Sequence, residues 1–169
     1  MKKNINQQGF TLLELLLYTS MMGIIVLAVS FVFQITLASR VKNQTIAEVE
    51  QQGIQAVQMI SQSVRNATSI TSPAQNISDS QLTIVVPAGA NSPTIFSLSG
   101  GAIQMKEGVA TAIPLTNTKV TVSSLTFVNS SRASTPGSVR FQFTITYINN
   151  SGRNEYDFTK TFYGTASLR

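Results

Sequence analysis

LLLYTSMMGIIVLAVSFVFQITLAS, residues 15–39, is the stretch on which the fold of this chain turns. All 25 of its residues are uncharged, and 18 are Ala, Val, Ile, Leu, Met, Phe or Tyr. About 20 apolar residues at a rise of ~1.5 Å cross the ~30 Å hydrocarbon core of a bilayer. The competing reading is a buried core helix. In a chain of 169 residues too little mass remains to enclose a fully apolar helix of this length. A single-pass membrane anchor is therefore expected.

Toward the N-terminus, Glu14 is the only charge between Lys3 and Arg40. Lys2 and Lys3 favour a cytoplasmic N-terminus, with the rest of the chain outside the cytoplasm. Arg40 and Lys42 follow the span and weaken that asymmetry. A secretory signal peptide carries its cleavage site after the apolar region. Here the polar leader MKKNINQQG comes first, and the apolar run starts directly behind its glycine.

The segment Gly9-Phe10-Thr11-Leu12-Leu13-Glu14-Leu15 resembles the processing motif of type IV prepilins, shared by type IV pilins, type II secretion pseudopilins and competence pseudopilins. The resemblance implies a prepilin peptidase that cuts after Gly9 and methylates Phe10, and it makes Glu14 the fifth residue of the mature chain. It further implies other pilin or pseudopilin subunits and an inner-membrane assembly platform as partners, with the lipid bilayer as the medium before assembly. It implies no cofactor and no metal.

The chemistry of the motif is intelligible in its own terms. A glycine at the cut lets an extended backbone enter a peptidase cleft without a Cβ clash. Cleavage leaves a cationic amine on Phe10. At the edge of an apolar helix, the ionised carboxylate of Glu14 costs a few kcal/mol unless paired. The N-terminal amine of a neighbouring subunit is the natural partner, and the pair then serves register and recruitment more than net stability. An isolated glutamate snorkelling into headgroups is the plainer alternative. Phe10 and Glu14 together are the expected assembly residues.

Beyond the span, Ile46, Val49, Gly53, Ala56, Ile60, Val64 and Ala67 recur at spacings of 3 and 4. They mark one face of an amphipathic helix, with Glu48, Glu50, Gln51, Gln55 and Gln62 turned elsewhere. No proline lies between Phe10 and Ser72, so span and amphipathic stretch are expected to form one helix about 90 Å long, stopped by Pro73. Gly23, inside the span, reads as a packing contact. Many major pilins carry a helix proline that this chain lacks.

From Thr71 the character changes. Of 99 residues, 28 are Ser or Thr, 11 are Asn or Gln, and only 11 are charged. Segments 82–86, 94–98, 102–106 and 120–128 read as strands, and Gly100-Gly101 as the tight turn of a hairpin. The clearest strand is 139–147, where Val139, Phe141, Phe143, Ile145 and Tyr147 alternate on one face. Asn149–Gly152 turns the chain, and 156–164 returns antiparallel. A sheet with one apolar face needs a cover, which the amphipathic half of the helix supplies. The fold class is therefore α+β and pilin-like. Its expected parts are a leader (1–9), a transmembrane and filament-core helix (10–39), the amphipathic half of that helix (40–70) and a β-rich extracytoplasmic head (71–169). The segments Ile113–Leu115, Ser124–Phe127 and Thr165–Arg169 are similar to minor pseudopilins of the type II secretion J class.

The chain contains no Cys, His or Trp. That excludes thiol nucleophiles, disulfides, Cys/His zinc sites and any triad built on imidazole. The head's acids are Asp79, Glu107, Glu155 and Asp157. Glu155 and Asp157, two apart, would share one strand face, a spacing that suits a cation but more commonly marks a charged edge beside Arg153 and Lys160. No phosphate-binding loop is visible, and no enzyme is expected. A pI near 9.8 raises DNA as a partner. The head's seven cations exceed its four acids by three but are scattered along the sequence, the pattern of a solvated surface. The net charge of +5 becomes +3 when Lys2 and Lys3 leave with the leader.

The resulting expectation is a minor pilin or pseudopilin, a structural subunit polymerised through its N-terminal helix. It would serve pilus assembly, secretion, DNA uptake or adhesion. A monomeric membrane-anchored binding module or adhesin that never polymerises is the alternative.

Overall fold

Thr11 and the residues after it enter α1 (Leu12–Asn66), an α-helix of 55 residues. A computed structural model describes residues 11–87, 92–132 and 135–169. The chain divides into two units, the first ending at Arg40 and the second spanning Val41–Arg169. In the first unit the helix contains an 18-residue window of mean hydropathy 2.3, none of it buried. Leu12, Met22, Leu27 and Phe33 are all more than half exposed. This is a helix long and apolar enough to cross a membrane.

Within the second unit the same helix behaves as a soluble amphipathic element. Thr45, Val49, Gln52, Gly53, Ala56, Ile60 and Val64 are buried, at spacings of 4, 3, 1, 3, 4 and 4. The expected face is therefore correct from Val49 onward, but Ile46 is only half-buried. Thr45 is buried in its place, its hydroxyl donating to the carbonyl of Val41 at 3.0 Å. The helix ends at Asn66, earlier than a stop at Pro73 implies. The amide of Thr68 donates instead to the carbonyl of Val85 at 2.7 Å, and the Thr68 hydroxyl to the same oxygen at 3.0 Å. Ile70 and Thr71 are β-branched and favour a strand once a partner edge is available. Sheet pairing thus captures the chain before the proline is reached.

The strands are β1 (Ser69–Ser72), β2 (Ser78–Asp79), β3 (Leu82–Val85), β4 (Thr94–Ser99), β5 (Ala102–Glu107), β6 (Ile113–Pro114), β7 (Val120–Asn129), β8 (Ser138–Tyr147) and β9 (Thr159–Ser167). They form two antiparallel sheets where the sequence suggested one. The first has the order β1-β3-β4-β5-β6 and the second β2-β7-β8-β9. The β4–β5 hairpin closes as expected: Ser99 pairs with Ala102 across Gly100 and Gly101, at φ of 60° and 74°. Both residues in the left-handed region define a turn whose twist suits the strands, and glycine enters it without strain. The carbonyl of Gly101 then accepts from the amide of Val122 at 2.7 Å, tying this hairpin to β7.

β7 changes face part-way. Val120 and Val122 are buried, and after an irregularity between Ser123 and Thr126 the buried residues are Leu125, Phe127 and Asn129. Ser124 sits at φ 55° there. The inserted residue moves the burial phase by one, as a β-bulge does. In β8, Val139, Phe141, Phe143 and Ile145 are buried, as their alternation implies, while Tyr147 is half-buried. One hydrophobic core joins the second part of α1 to both sheets. Phe143 stacks on Phe162 with centroids 5.6 Å apart. Gly53 makes the helix–sheet approach possible, because a Cβ there would lie 2.1 Å from Cζ of Phe162.

Candidate functional site

Gly9 and Phe10, the expected cleavage and methylation positions, lie outside the described residues. The adjoining turn is described. The amide of Glu14 donates to Oγ1 of Thr11 at 3.3 Å, and the amide of Leu15 to the backbone carbonyl of Thr11 at 3.2 Å. Thr11 is thus the N-cap of α1 and Glu14 its third helical residue, the spacing of a Thr-x-x-Glu capping sequence. The cap places the Glu14 carboxylate in the first turn, where the unpaired amides at a helix N-terminus favour negative charge. Glu14 is half-buried on a helix segment whose flanking residues are exposed.

A third residue completes the group. The hydroxyl of Tyr18 donates to Oε1 of Glu14 at 3.2 Å. Neither the Thr11 cap nor the Tyr18 contact was anticipated from the sequence, although both spacings were available there. Thr-x-x-Glu is a helix-start signal, and residues four apart on a helix are neighbours.

Residues 4–30 match the family described as the prokaryotic N-terminal methylation motif. The chain carries a prokaryotic N-terminal methylation motif. The matched residues take in Gly9, Phe10, Glu14 and the first part of the apolar span. The motif supports the type IV pilin and pseudopilin family that the sequence resembles, as does a long N-terminal helix joined to antiparallel sheets. No curated protein and no solved structure matches the chain significantly.

Outside the motif, several charged residues make structural contacts. Glu155 lies in a single 3-10 turn, Asn154–Tyr156, and β9 begins only at Thr159. Glu155 and Asp157 therefore do not share a strand face, which corrects the sequence expectation. The turn is fixed from several sides: Asn149 donates to the carbonyl of Arg153 at 2.9 Å, and Tyr156 stacks on Tyr147 at 6.0 Å. The ammonium of Lys42 donates to the carbonyls of Asp157 at 2.6 Å and Asn154 at 3.3 Å. Arg153 binds Glu155 at 2.8 Å. That hydrogen bond, with the guanidinium charge, holds the Glu155 carboxyl below its ordinary range and raises Arg153 in turn. Among the described residues no three acids come together in a way that could hold a metal ion.

Two further cations pair with α1. Lys160 reaches Glu50 at 2.6 Å, and Lys119 reaches Glu48 at 3.5 Å. Glu48 also accepts from Nδ2 of Asn117 at 2.6 Å, while Gln52 accepts from the amide of Asn117 at 3.2 Å. Glu48, expected off the apolar face, lies at the flank of the helix and docks the loop before β7. The arginines Arg65, Arg132 and Arg169 line surface grooves near the end of β9, one of which also includes Glu107.

Proposed function

We propose that the chain is a structural subunit of a type IV pilus-like filament, a minor pilin or pseudopilin. It is inserted with its N-terminus in the cytoplasm, cut after Gly9 by a prepilin peptidase, and methylated on Phe10. The observation that carries this reading is the methylation motif placed directly on an exposed apolar helix. The first turn of that helix holds one acidic residue, Glu14.

The physical logic is that of a helix with two environments. In the bilayer its apolar surface is covered by lipid; in a filament it would be covered by the same helix of other subunits. Loss of one apolar environment is offset by gain of another, so the polar pair decides register. The cleaved amine of Phe10 in one subunit and the carboxylate of Glu14 in the next supply that pair, each unfavourable in hydrocarbon alone. The Ser/Thr-rich second unit, with its own core, would form the outer layer. Family and fold both favour a structural role over catalysis. The similarity to the type II secretion J class favours a minor subunit.

Two measurements test the reading. The intact mass of the membrane-extracted chain should correspond to loss of Met1–Gly9 and gain of one methyl group; an uncut Met1 rejects it. Glu14→Ala should be processed normally yet be absent from filaments. Normal incorporation of that variant removes the pairing role, whereas absence of the wild-type chain from filaments favours a monomeric anchored module.

A further inference from the structure

We propose that Tyr18 is the positioning residue for Glu14: its hydroxyl holds the carboxylate through the membrane stage and orients it for the incoming amine. The proposal rests on the assembly role given to Glu14 above. Its basis is the hydrogen bond from the Tyr18 hydroxyl to Oε1 of Glu14 at 3.2 Å.

Other hydroxyls on this segment are satisfied differently. Thr19 donates to the carbonyl of Leu16 at 3.0 Å, Ser20 to that of Leu17 at 2.8 Å, and Thr36 to that of Val32 at 2.9 Å. Short side chains fold back onto their own helix in this way. A tyrosine hydroxyl stands too far from its own backbone to do so. In a helix a long side chain leans toward the N-terminus and covers the preceding turn, which places the Tyr18 ring over Glu14. A hydroxyl without a partner in hydrocarbon is costly, and so is a carboxylate. Each of these two groups reduces the other's penalty, and a hydrogen bond to a charged acceptor is among the stronger kinds.

The arrangement also fixes direction. A carboxylate has two oxygens and about four acceptor positions. With Tyr18 on Oε1 and the Thr11 cap fixing the backbone beneath it, rotation of the carboxylate is restricted. Acceptor positions remain for an ammonium from another subunit. Tyr18 thus acts through Glu14.

The test uses Tyr18→Phe in the full chain, which keeps the ring and removes only the oxygen. Incorporation into filaments should fall about tenfold, the scale of one charge-assisted hydrogen bond. Cleavage and methylation, read by intact mass, should be unchanged. In processed chain labelled with 13C-glutamate and placed in vesicles, the Glu14 carboxyl resonance is identified by its loss in Glu14→Gln. That resonance should move in Tyr18→Phe and stay in place in Tyr163→Phe, a change at an exposed tyrosine of β9. An unmoved Glu14 resonance overturns the proposal, even if incorporation falls, because the ring alone would then explain the defect. Wild-type incorporation of Tyr18→Phe overturns it as well. Wild-type incorporation of Glu14→Gln sinks the reading of Glu14 itself, an outcome separate from either.

Discussion

The two units of this chain handle apolar surface in opposite ways. In the second unit Phe96, Phe127, Phe141 and Phe143 are at most 1% exposed, closed in by two sheets and one helix face. In the first, Leu12 is 82% exposed and Leu27 72%, and their neighbours are similar. The driving force is the same in both, removal of apolar area from water. One unit meets it within the chain, while the other requires a bilayer or further helices. The comparison shows why hydrophobicity alone does not assign a core: what matters is whether the chain itself supplies the covering surface.

The difference predicts that damage to one unit leaves the other's task intact. Phe162→Ala should have the largest effect on stability, about 3–5 kcal/mol, because it empties the seat between Phe143 and Gly53. Thermal unfolding of the second unit, followed by near-ultraviolet circular dichroism of the full chain in detergent, would register it. Intact mass should still show normal cleavage. If cleavage failed too, the two units would not be independent.

Next comes Gly53→Ala, which places a methyl where Phe162 already lies and should cost about 1–3 kcal/mol by overpacking. Combining it with Phe162→Leu should cost less than the sum of the two single changes, since the clash is shared. Additive losses would break the link between glycine and ring. Glu48→Ala removes the acceptor for Asn117 and should cost about 1–2 kcal/mol, with faster amide exchange at Asn117 and Lys119 as the accompanying sign.

The smallest effect belongs to the Arg153–Glu155 pair, an exposed arginine on a half-buried glutamate. Because the folded Glu155 carboxyl titrates below its ordinary range, its contribution is present above the unfolded carboxylate value. It is lost as the pH falls through the folded one. Arg153→Ala should move the Glu155 midpoint upward in a 13C-detected titration, with little change in melting temperature. A midpoint that does not move would remove Arg153 as the cause.

Much of the fold could be read from local patterns. The Gly100-Gly101 turn, the alternation through β8 and the 3–4 spacing from Val49 to Val64 each report a period or a turn that needs no distant residue. Errors arose where a distant partner decided the outcome. Thr68 leaves the helix because Val85 receives it. The Glu155 region forms a turn, and β9 starts later, where Lys42, Asn149 and Tyr147 fix the backbone. Lys160 pairs with Glu50, 110 positions away, rather than with its neighbouring acids.

By itself, the sequence determined the methylation motif, the apolar span and the α+β class, since each is written in contiguous residues or in a short period. The tertiary structure alone decided that the strands divide into two sheets, that Gly53 receives Phe162, and that Glu48 and Gln52 dock the loop at Asn117. Which strand edges meet depends on register and loop closure across the whole chain, and no local period encodes them. The Tyr18–Glu14 contact stands between these cases: its four-residue spacing was written in the sequence, but a hydroxyl pointing at a carboxylate is a matter of side-chain geometry.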